Sequence, residues 1–370
     1  MRRTSRLFAY AALALAVTPA GVTAQVSSIL DTPAGRQATA LFALLEAGGD
    51  EDSVRVFVEE RFTPDLPARL QALADSLAAV DRFSGVILLA QGDTPVLQRA
   101  WGMADRDRRI PNTVDTRFNL GSINKIFTAA AIHHLAAEGR LSLADTLGAH
   151  LPEFPDPSAR SQVTIRHLLE HRSGIVGNIF RAPEGGTRDD LRTTADFLNL
   201  FAGEPLRFAP GSRSEYSNAG YVVLGAIIER VSGQTYYEYV HDHIYRPLGM
   251  SATAHYHRAS LPDGAAIGYT RGGSGDGPVG SNRDLLPGRG SSAGGGYSTA
   301  GDLLRFALAA ERGEVPGVRG GLGISGGAPG LNATLETGLP GGYHLVVLAN
   351  MDPPVAEQIG GQVRQWLGAR

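Results

Sequence analysis

The spacing of apolar positions changes twice along the chain. Residues 36–47, 53–62 and 67–80 carry apolar side chains three to four apart, which predicts three helices, with Pro64 and Pro67 separating the last two. Then the period shortens. Phe83 to Ala90 and Val96 to Trp101 are short apolar runs on either side of Gly92-Asp93, and they predict a β-hairpin. Helical spacing returns between about 120 and 310, most regularly over 122–138, 164–170, 188–201, 219–231 and 299–312. Residues 269–296 are dense in Gly, Ser and Pro and read as a long surface loop. Strand-length apolar runs at 333–337 and 343–350 and a terminal helix over 355–367 complete the pattern. Strands at both ends with helices between them predict an α/β sheet domain joined to a helical domain, with no internal repeat.

The first 24 residues stand apart. Arg2, Arg3 and Arg6 precede the apolar run Leu7 to Val17, and Val22-Thr23-Ala24 offers a small-residue cleavage site, the pattern of a signal peptide. That run is well short of the roughly 20 residues a membrane span needs. The expectation is an exported protein, periplasmic or secreted, whose mature chain begins near Gln25 with a helical extension over 25–80 and no transmembrane segment. The paired arginines also fit a twin-arginine signal weakly. The formal net charge of -3 gives no excess of basic residues for a nucleic-acid or anionic-membrane partner. With no cysteine there is no disulfide framework, so the fold rests on its core.

Lysine usage sharpens the picture. Of 34 Lys and Arg residues a single one, Lys125, is lysine. Arginine does not lose its proton in proteins, whereas a lysine in a desolvated site does. Lys125 lies three residues after Ser122 in Gly121-Ser122-Ile123-Asn124-Lys125, at the start of a predicted apolar helix, so the two side chains share a face. There Ser122 suits a nucleophile and Lys125 its general base. The first helical turn favours developing negative charge, and burial among Ile126, Phe127 and Ala129 would lower the amine's pKa. A fall of roughly 3 units from about 10.4 is needed for a base near neutrality. Ser-x-x-Lys alone also describes any Ser-capped helix with a solvated lysine. A second cluster, Glu215-Tyr216-Ser217-Asn218, lies at a predicted loop-to-helix junction, where the Tyr216 phenol can relay a proton and the Asn218 amide can hold a substrate carbonyl.

With these residues the chain resembles the serine β-lactamase and penicillin-binding-protein family, in the branch of class C β-lactamases, D-aminopeptidases, D-alanyl-D-alanine carboxypeptidases and related esterases. The resemblance covers roughly 81–352. Besides the two clusters it rests on His167-Leu168-Leu169-Glu170-His171-Arg172-Ser173-Gly174, on Ala293-Gly294-Gly295-Gly296-Tyr297-Ser298-Thr299 and on Gly326-Gly327-Ala328-Pro329-Gly330. It implies a β-lactamase/transpeptidase-like fold: an antiparallel sheet flanked by N- and C-terminal helices, formed by about 81–118 and 318–370, with an inserted, mostly helical domain over about 119–317. It further implies acylation of Ser122, Lys125 as base, Tyr216 as proton relay, and Asn218, Ser325 and Gly326 as substrate-binding residues. The backbone N–H groups of Ser122 and Gly327 would form an oxyanion hole, and no cofactor is implied. The substrate would be a small ester, an amide or a short D-amino-acid peptide.

One motif departs from the family. Where relatives have Lys or His, then a small residue, then Gly, this chain reads Ile324-Ser325-Gly326, and the stretch from Arg312 to Gly323 is short for the sheet strand expected before it. Efficient β-lactam or peptide turnover is therefore not expected. A binding or sensing protein with weak turnover stays open as a second class.

Three other motifs compete. His167-Leu168-Leu169-Glu170-His171 fits H-x-x-E-H, so a zinc peptidase with His167 and His171 as ligands and Glu170 as base is an alternative, although no third ligand is evident. Gly323-Ile324-Ser325-Gly326-Gly327 fits G-x-S-x-G, but no histidine follows His344 to pair with Asp352. Gly275 to Gly280 fits G-x-G-x-x-G, with Pro278 and the lack of a following helix against a nucleotide loop.

Overall fold

In the computed structural model, β1 (Gly85–Gln91) and β2 (Thr94–Trp101) form the expected hairpin, with Gly92 at φ 58° in its turn. Three more strands come from the far end of the chain: β3 (Gly323–Ala328), β4 (Leu331–Leu339) and β5 (Tyr343–Ala349). All five make one antiparallel sheet in the order β2-β1-β5-β4-β3, with Leu88 opposite Val346 and Ala333 opposite Gly326.

Both faces of the central strands are covered. Val86, Leu88, Val346 and Leu348 join the main apolar core, and the alternate residues Ile87, Leu89, Leu345 and Val347 are also buried. This double burial is why β1 and β5 read as continuous apolar runs. The described residues are 43, 65–272 and 277–368, so the expected signal peptide and, apart from Ala43, the helices expected over 36–47 and 53–62 lie outside them. The chain divides into Met1–Ala68 and Arg69–Arg370, and the second unit carries the sheet and the site. No described helix is long and apolar enough to cross a membrane.

The described helices include α1 (Leu66–Ala79), α2 (Lys125–Ala137), α3 (Ile165–Leu169), α4 (Asn218–Ser232), α5 (Ala300–Glu311) and α6 (Val355–Trp366), of which α2 and α4 carry residues of the site. α6 packs on β4 and β5, and α5 on β5 and β1. Every residue of α4 from Ala219 to Ile228 is buried, so this helix runs through the core rather than over it. The Ser217 hydroxyl caps it by accepting from Gly220 N at 2.9 Å, and Gly233 closes it in the left-handed conformation. α2 packs against α4 with Phe127, Ala130, Ala131 and Leu135 buried.

Two expectations need correction. Residues 188–201 do not form one helix: a 3-10 turn at Arg188–Asp190 is followed by a separate helix, Thr194–Leu198. The Asp190 and Asp196 carboxylates fold back onto Thr187 N and Thr193 N at 2.7 Å each, and these capping contacts restart the backbone against the apolar spacing. Residues 269–296 are not simply a surface loop either, since Asn282, Ser291, Ser292 and Ala293 are buried. The segment between α5 and β3 contains no strand, and β3 is left as the sheet edge.

That edge lies hard against the turn that holds Ser122. A Cβ on Gly326 would overlap the Leu120 carbonyl oxygen and stand 2.7 Å from Ser122 N, whereas a Cβ on Gly323, on the same strand, would meet nothing. Gly326→Ala should therefore lower unfolding stability by about 1–3 kcal/mol through overpacking, and Gly323→Ala should leave it nearly unchanged. Denaturant titration of the two variants checks this, and equal stabilities would refute the close packing of β3 on the turn.

Candidate active site

Ser122 sits in a 3-10 turn, Gly121–Asn124, that runs directly into α2, so the helix opens more tightly than its apolar spacing predicts. Gly121 takes φ 51°, which only glycine adopts without strain. The first N–H groups of such a turn lack intrahelical acceptors, and the Ser122 amide is one of them. Close packing of the turn on β3 puts the backbone of Gly326 and Gly327 beside it.

The expected cluster meets at the Ser122 hydroxyl. Lys125 Nζ donates to Ser122 Oγ at 3.0 Å, and Tyr216 Oη donates to the same oxygen at 2.7 Å. Lys125 also donates to Asn218 Oδ1 at 2.8 Å and to the Ala293 carbonyl. All three hydrogens of an ammonium thus have acceptors, yet the side chain is buried. Burial dominates and brings the amine's pKa down from 10.5 to about 7. At 1.36 kcal/mol per unit this is roughly 5 kcal/mol in favour of the neutral amine relative to water. The rings of Tyr216 and Tyr221, with centroids 4.9 and 5.6 Å from Nζ, favour the charged form but do not offset the lost hydration.

Tyr216 is 58% exposed, but its hydroxyl turns inward onto Ser122. Desolvation raises its pKa despite the Ser122 hydrogen bond, so the phenol stays protonated near neutrality. Asn218 is the first residue of α4, and with Oδ1 held by Lys125 its amide presents Nδ2 as a donor.

His171 serves here as a support. Its Nδ1 accepts from Ser217 N at 3.1 Å, and its ring lies against Tyr216 and Tyr221 with centroids 4.6 and 5.1 Å away. Burial and the neighbouring Lys125 hold it below the usual histidine range. It takes φ 57°, an uncommon conformation for a non-glycine residue, and the Glu215 N–H donates to its carbonyl at 2.9 Å. The zinc-peptidase alternative fails on this geometry. His167 Nδ1 holds Thr164 N at 3.3 Å in a capping box, His171 Nδ1 holds Ser217 N, and Glu170 faces Arg166 at 4.0 Å. Among the described residues no group of three His, Cys, Asp or Glu could hold a metal.

The remaining expected residues lie on β3. Gly326 abuts the Ser122 turn, while the Ser325 hydroxyl is 3.1 Å from Thr334 Oγ1 across the strand pair rather than on any member of the cluster. Ile324 lines the cleft beside Lys125 and Tyr216 where a cation was missing from the motif. Sequence reasoning assigned no role to Ala293 and offered His171 only as a metal ligand in the zinc-peptidase alternative. The signal was there, because both stand in stretches already singled out, but a carbonyl acceptor and a stacked ring leave no spacing to read.

The fold is that of the β-lactamase/transpeptidase-like proteins, with Ser122, Lys125 and Tyr216 meeting at one hydroxyl. The chain belongs to the Beta-lactamase family, whose model matches residues 70–343. It is 33% identical over 205 residues to Penicillin-binding protein 4* of Bacillus subtilis (strain 168), covering 54% of this chain and 45% of that protein. It is likewise 33% identical over 190 residues to Protein flp of Staphylococcus aureus (strain MW2), covering 51% of this chain and 38% of that protein. The matches thus span under half the length of these curated relatives. Among solved structures, a penicillin binding protein from Bacillus halodurans is 30% identical with a TM-score of 0.71, covering 80% of this chain and 99% of that one. A D-stereospecific amidohydrolase from Streptomyces sp. is 26% identical with a TM-score of 0.67, covering 83% of this chain and 100% of that one.

The buried amine makes stability depend on pH. In the unfolded chain Lys125 keeps its proton up to about 10.4, and in the folded chain it gives it up near 7. Between those values the unfolded state binds more protons, so stability rises with pH. The unfolding free energy of the native protein relative to Lys125→Met should increase by up to about 1.4 kcal/mol per pH unit in that window and flatten below pH 7. Paired denaturation curves across pH measure it; a pH-independent difference would mean the amine is not desolvated.

Proposed function

We propose that this protein is a serine hydrolase that cleaves an ester or amide through an acyl-enzyme on Ser122. The observation that carries the reading is the convergence of Lys125 Nζ and Tyr216 Oη on Ser122 Oγ, at 3.0 and 2.7 Å, around an amine whose pKa lies near 7. In the neutral amine, one lone pair replaces one of the three donated hydrogens and can take the proton of Ser122. The Oγ–C bond then forms as the carbonyl π bond opens to an oxyanion. Backbone N–H groups of Ser122 and Gly327 are the donors for that oxyanion, a contribution typically of about 3 kcal/mol. Collapse breaks the bond to the leaving group, which takes a proton from Lys125 through Tyr216. Water adds to the acyl-enzyme by the same relay and releases the acid, restoring Ser122. Asn218 Nδ2 holds the acyl side of the substrate.

The Streptomyces amidohydrolase, by its name, acts on amides with D-stereospecificity, and that supports an amide or ester as substrate class. The signal-like residues 1–24 support export, for a periplasmic or secreted site of action. Ile324 favours a second reading, a binding or sensing protein that acylates and turns over slowly, because the wall beside the leaving group brings no second cation. Multiple turnovers on a panel of esters, D-amino-acid amides and β-lactams would remove it.

Lys125→Arg should retain the fold but lower the acylation rate by about 10²- to 10⁴-fold, since arginine keeps the charge and cannot deprotonate. In the native protein acylation should rise with pH through a single ionisation near 7, and that limb should vanish in the variant. Mass spectrometry after a slow acylating ester should place the adduct on Ser122 and find none in Ser122→Ala. Native rates in Lys125→Arg, or an adduct elsewhere, would overturn the assignment.

A further inference from the structure

The Ser122 hydroxyl stands between two clefts of different character. One, of about 360 Å³, is shared by Lys125, Tyr216, Tyr221, Ile126 and Ile324. The other, of about 470 Å³, runs from Ser122 and Asn218 past Phe180, Leu285, Tyr297 and Leu331. Proton delivery decides which half of a substrate goes where. The leaving group must accept a proton as its bond breaks, so it belongs in the first cleft, where Tyr216 and Lys125 are. The acyl half then fills the second.

The acyl cleft is apolar, and its mouth is more so than a solvent-facing rim needs to be. Phe180 is 52% and Leu285 41% exposed there. Two arginines border this cleft, and both are engaged in holding its walls. Arg188 donates to the carbonyls of Phe180 at 2.7 Å and Asp284 at 3.3 Å, tying the two rim loops together. Arg258 donates to Asp189 Oδ1 at 3.0 Å and to the Arg283 carbonyl at 2.7 Å. The rim aromatic and the rim leucine are therefore held by one brace, and the guanidinium groups have partners before any substrate arrives.

The leaving-group cleft also has an apolar wall. Ile324 packs against the main core and lines this cleft, and the cations near it are Lys125 and, when protonated, His171. A carboxylate bound beside Lys125 would stabilise the ammonium and remove the base that starts the reaction. A second cation would cancel that effect, and Ile324 supplies none.

We propose that the substrate is an ester or amide with an uncharged, apolar acyl group larger than acetyl and a leaving group that carries no carboxylate, with Ile324 and the Phe180–Leu285 rim as the specificity-determining residues. This rests on the acyl-enzyme reading of Ser122. It excludes peptides that release a C-terminal amino acid and selects neutral esters and amides.

Acetyl, butanoyl and hexanoyl esters of 4-hydroxybenzamide and of 4-hydroxybenzoate separate the two halves of the proposal. With the benzamide leaving group, kcat/KM should grow roughly two- to fourfold per added methylene, the value expected for burial of apolar surface. Phe180→Ala and Leu285→Ala should each lower the hexanoyl-to-acetyl ratio. At equal acyl length the neutral ester should be preferred about tenfold or more after correction for uncatalysed hydrolysis, and Ile324→Lys should narrow that gap by raising the carboxylate ester. A flat acyl series, or equal rates for the two leaving groups, overturns the proposal while leaving an active serine hydrolase. Calorimetric binding of the same esters to Ser122→Ala reads the clefts without chemistry. Tighter binding of the neutral hexanoyl ester supports the specificity even if the native protein fails to turn over, and equal affinities refute it.

Discussion

The fold must keep one amine dry. Lys125 is the only lysine in the chain, it is buried at the start of a core helix, and its three hydrogen-bond acceptors come from three separate segments. Ser122 arrives on the preceding turn, Asn218 on the first residue of α4, and Ala293 on a loop 168 residues away in sequence. Removing any one segment would leave a buried donor unpaired, which costs more than the hydrogen bond itself contributes. The packing of α2 on α4 and the docking of β3 against the Ser122 turn follow from this requirement. They also bury most of the amine's surface, and that loss of hydration lowers its pKa.

The loop carrying Ala293 is held by α2 in an unusually complete way. Asn124 Nδ2 donates to the Ser291 carbonyl at 3.2 Å, Thr128 Oγ1 to the Ser292 carbonyl at 2.7 Å, and Lys125 to the Ala293 carbonyl. Three successive carbonyls are thus bound by side chains from one end of one helix. Such an approach leaves no room for side chains on the residues that follow. A Cβ on Gly294 would stand 3.0 Å from the Gly121 carbonyl oxygen, and one on Gly296 would overlap Asn124 Oδ1. The glycine run is a packing requirement of the Ser122 turn and the start of α2.

This explains which parts of the molecule were legible from sequence. β1, β4 and β5 contain apolar runs of strand length, β2 was marked by the Gly92-Asp93 turn beside it, and α2, α4 and α5 carry apolar residues over helical lengths, so these elements could be read directly. The Ser122, Lys125, Tyr216 and Asn218 cluster was legible because a Ser-x-x-Lys spacing that is common by itself coincided with the chain's single lysine and with a second cluster at a loop-to-helix junction. Residues 291–296 and β3 were not legible by period. Residues 291–293 and 296 are buried through small serine, alanine and glycine positions, and β3 is a largely exposed edge strand built on glycines, so both have the composition of a surface loop. The family-like Gly326-Gly327 stretch located β3 where alternation could not. The H-x-x-E-H pattern left a zinc alternative open for a related reason: such spacing on a helix suggests ligands, but α3 ends at Leu169, His167 holds the Thr164 amide at that helix's own start, and His171 holds the Ser217 amide beside Tyr216.

Ile324 becomes intelligible on the same terms. A lysine base can be kept neutral by a nearby cation or by desolvation. Desolvation is the leading cause here, and an apolar wall strengthens it, whereas a lysine or histidine at position 324 would bring its own hydration shell to the cleft. The two devices select substrates differently. A second cation tolerates, and even attracts, an anionic group beside the base. A dry wall penalises such a group twice, once for its own lost hydration and once because its charge returns the proton to Lys125. On the proposed acyl-enzyme reading, the isoleucine, the single lysine and the apolar cleft beside Ser122 form one electrostatic arrangement, in which apolar surroundings make the Lys125 amine available as the base.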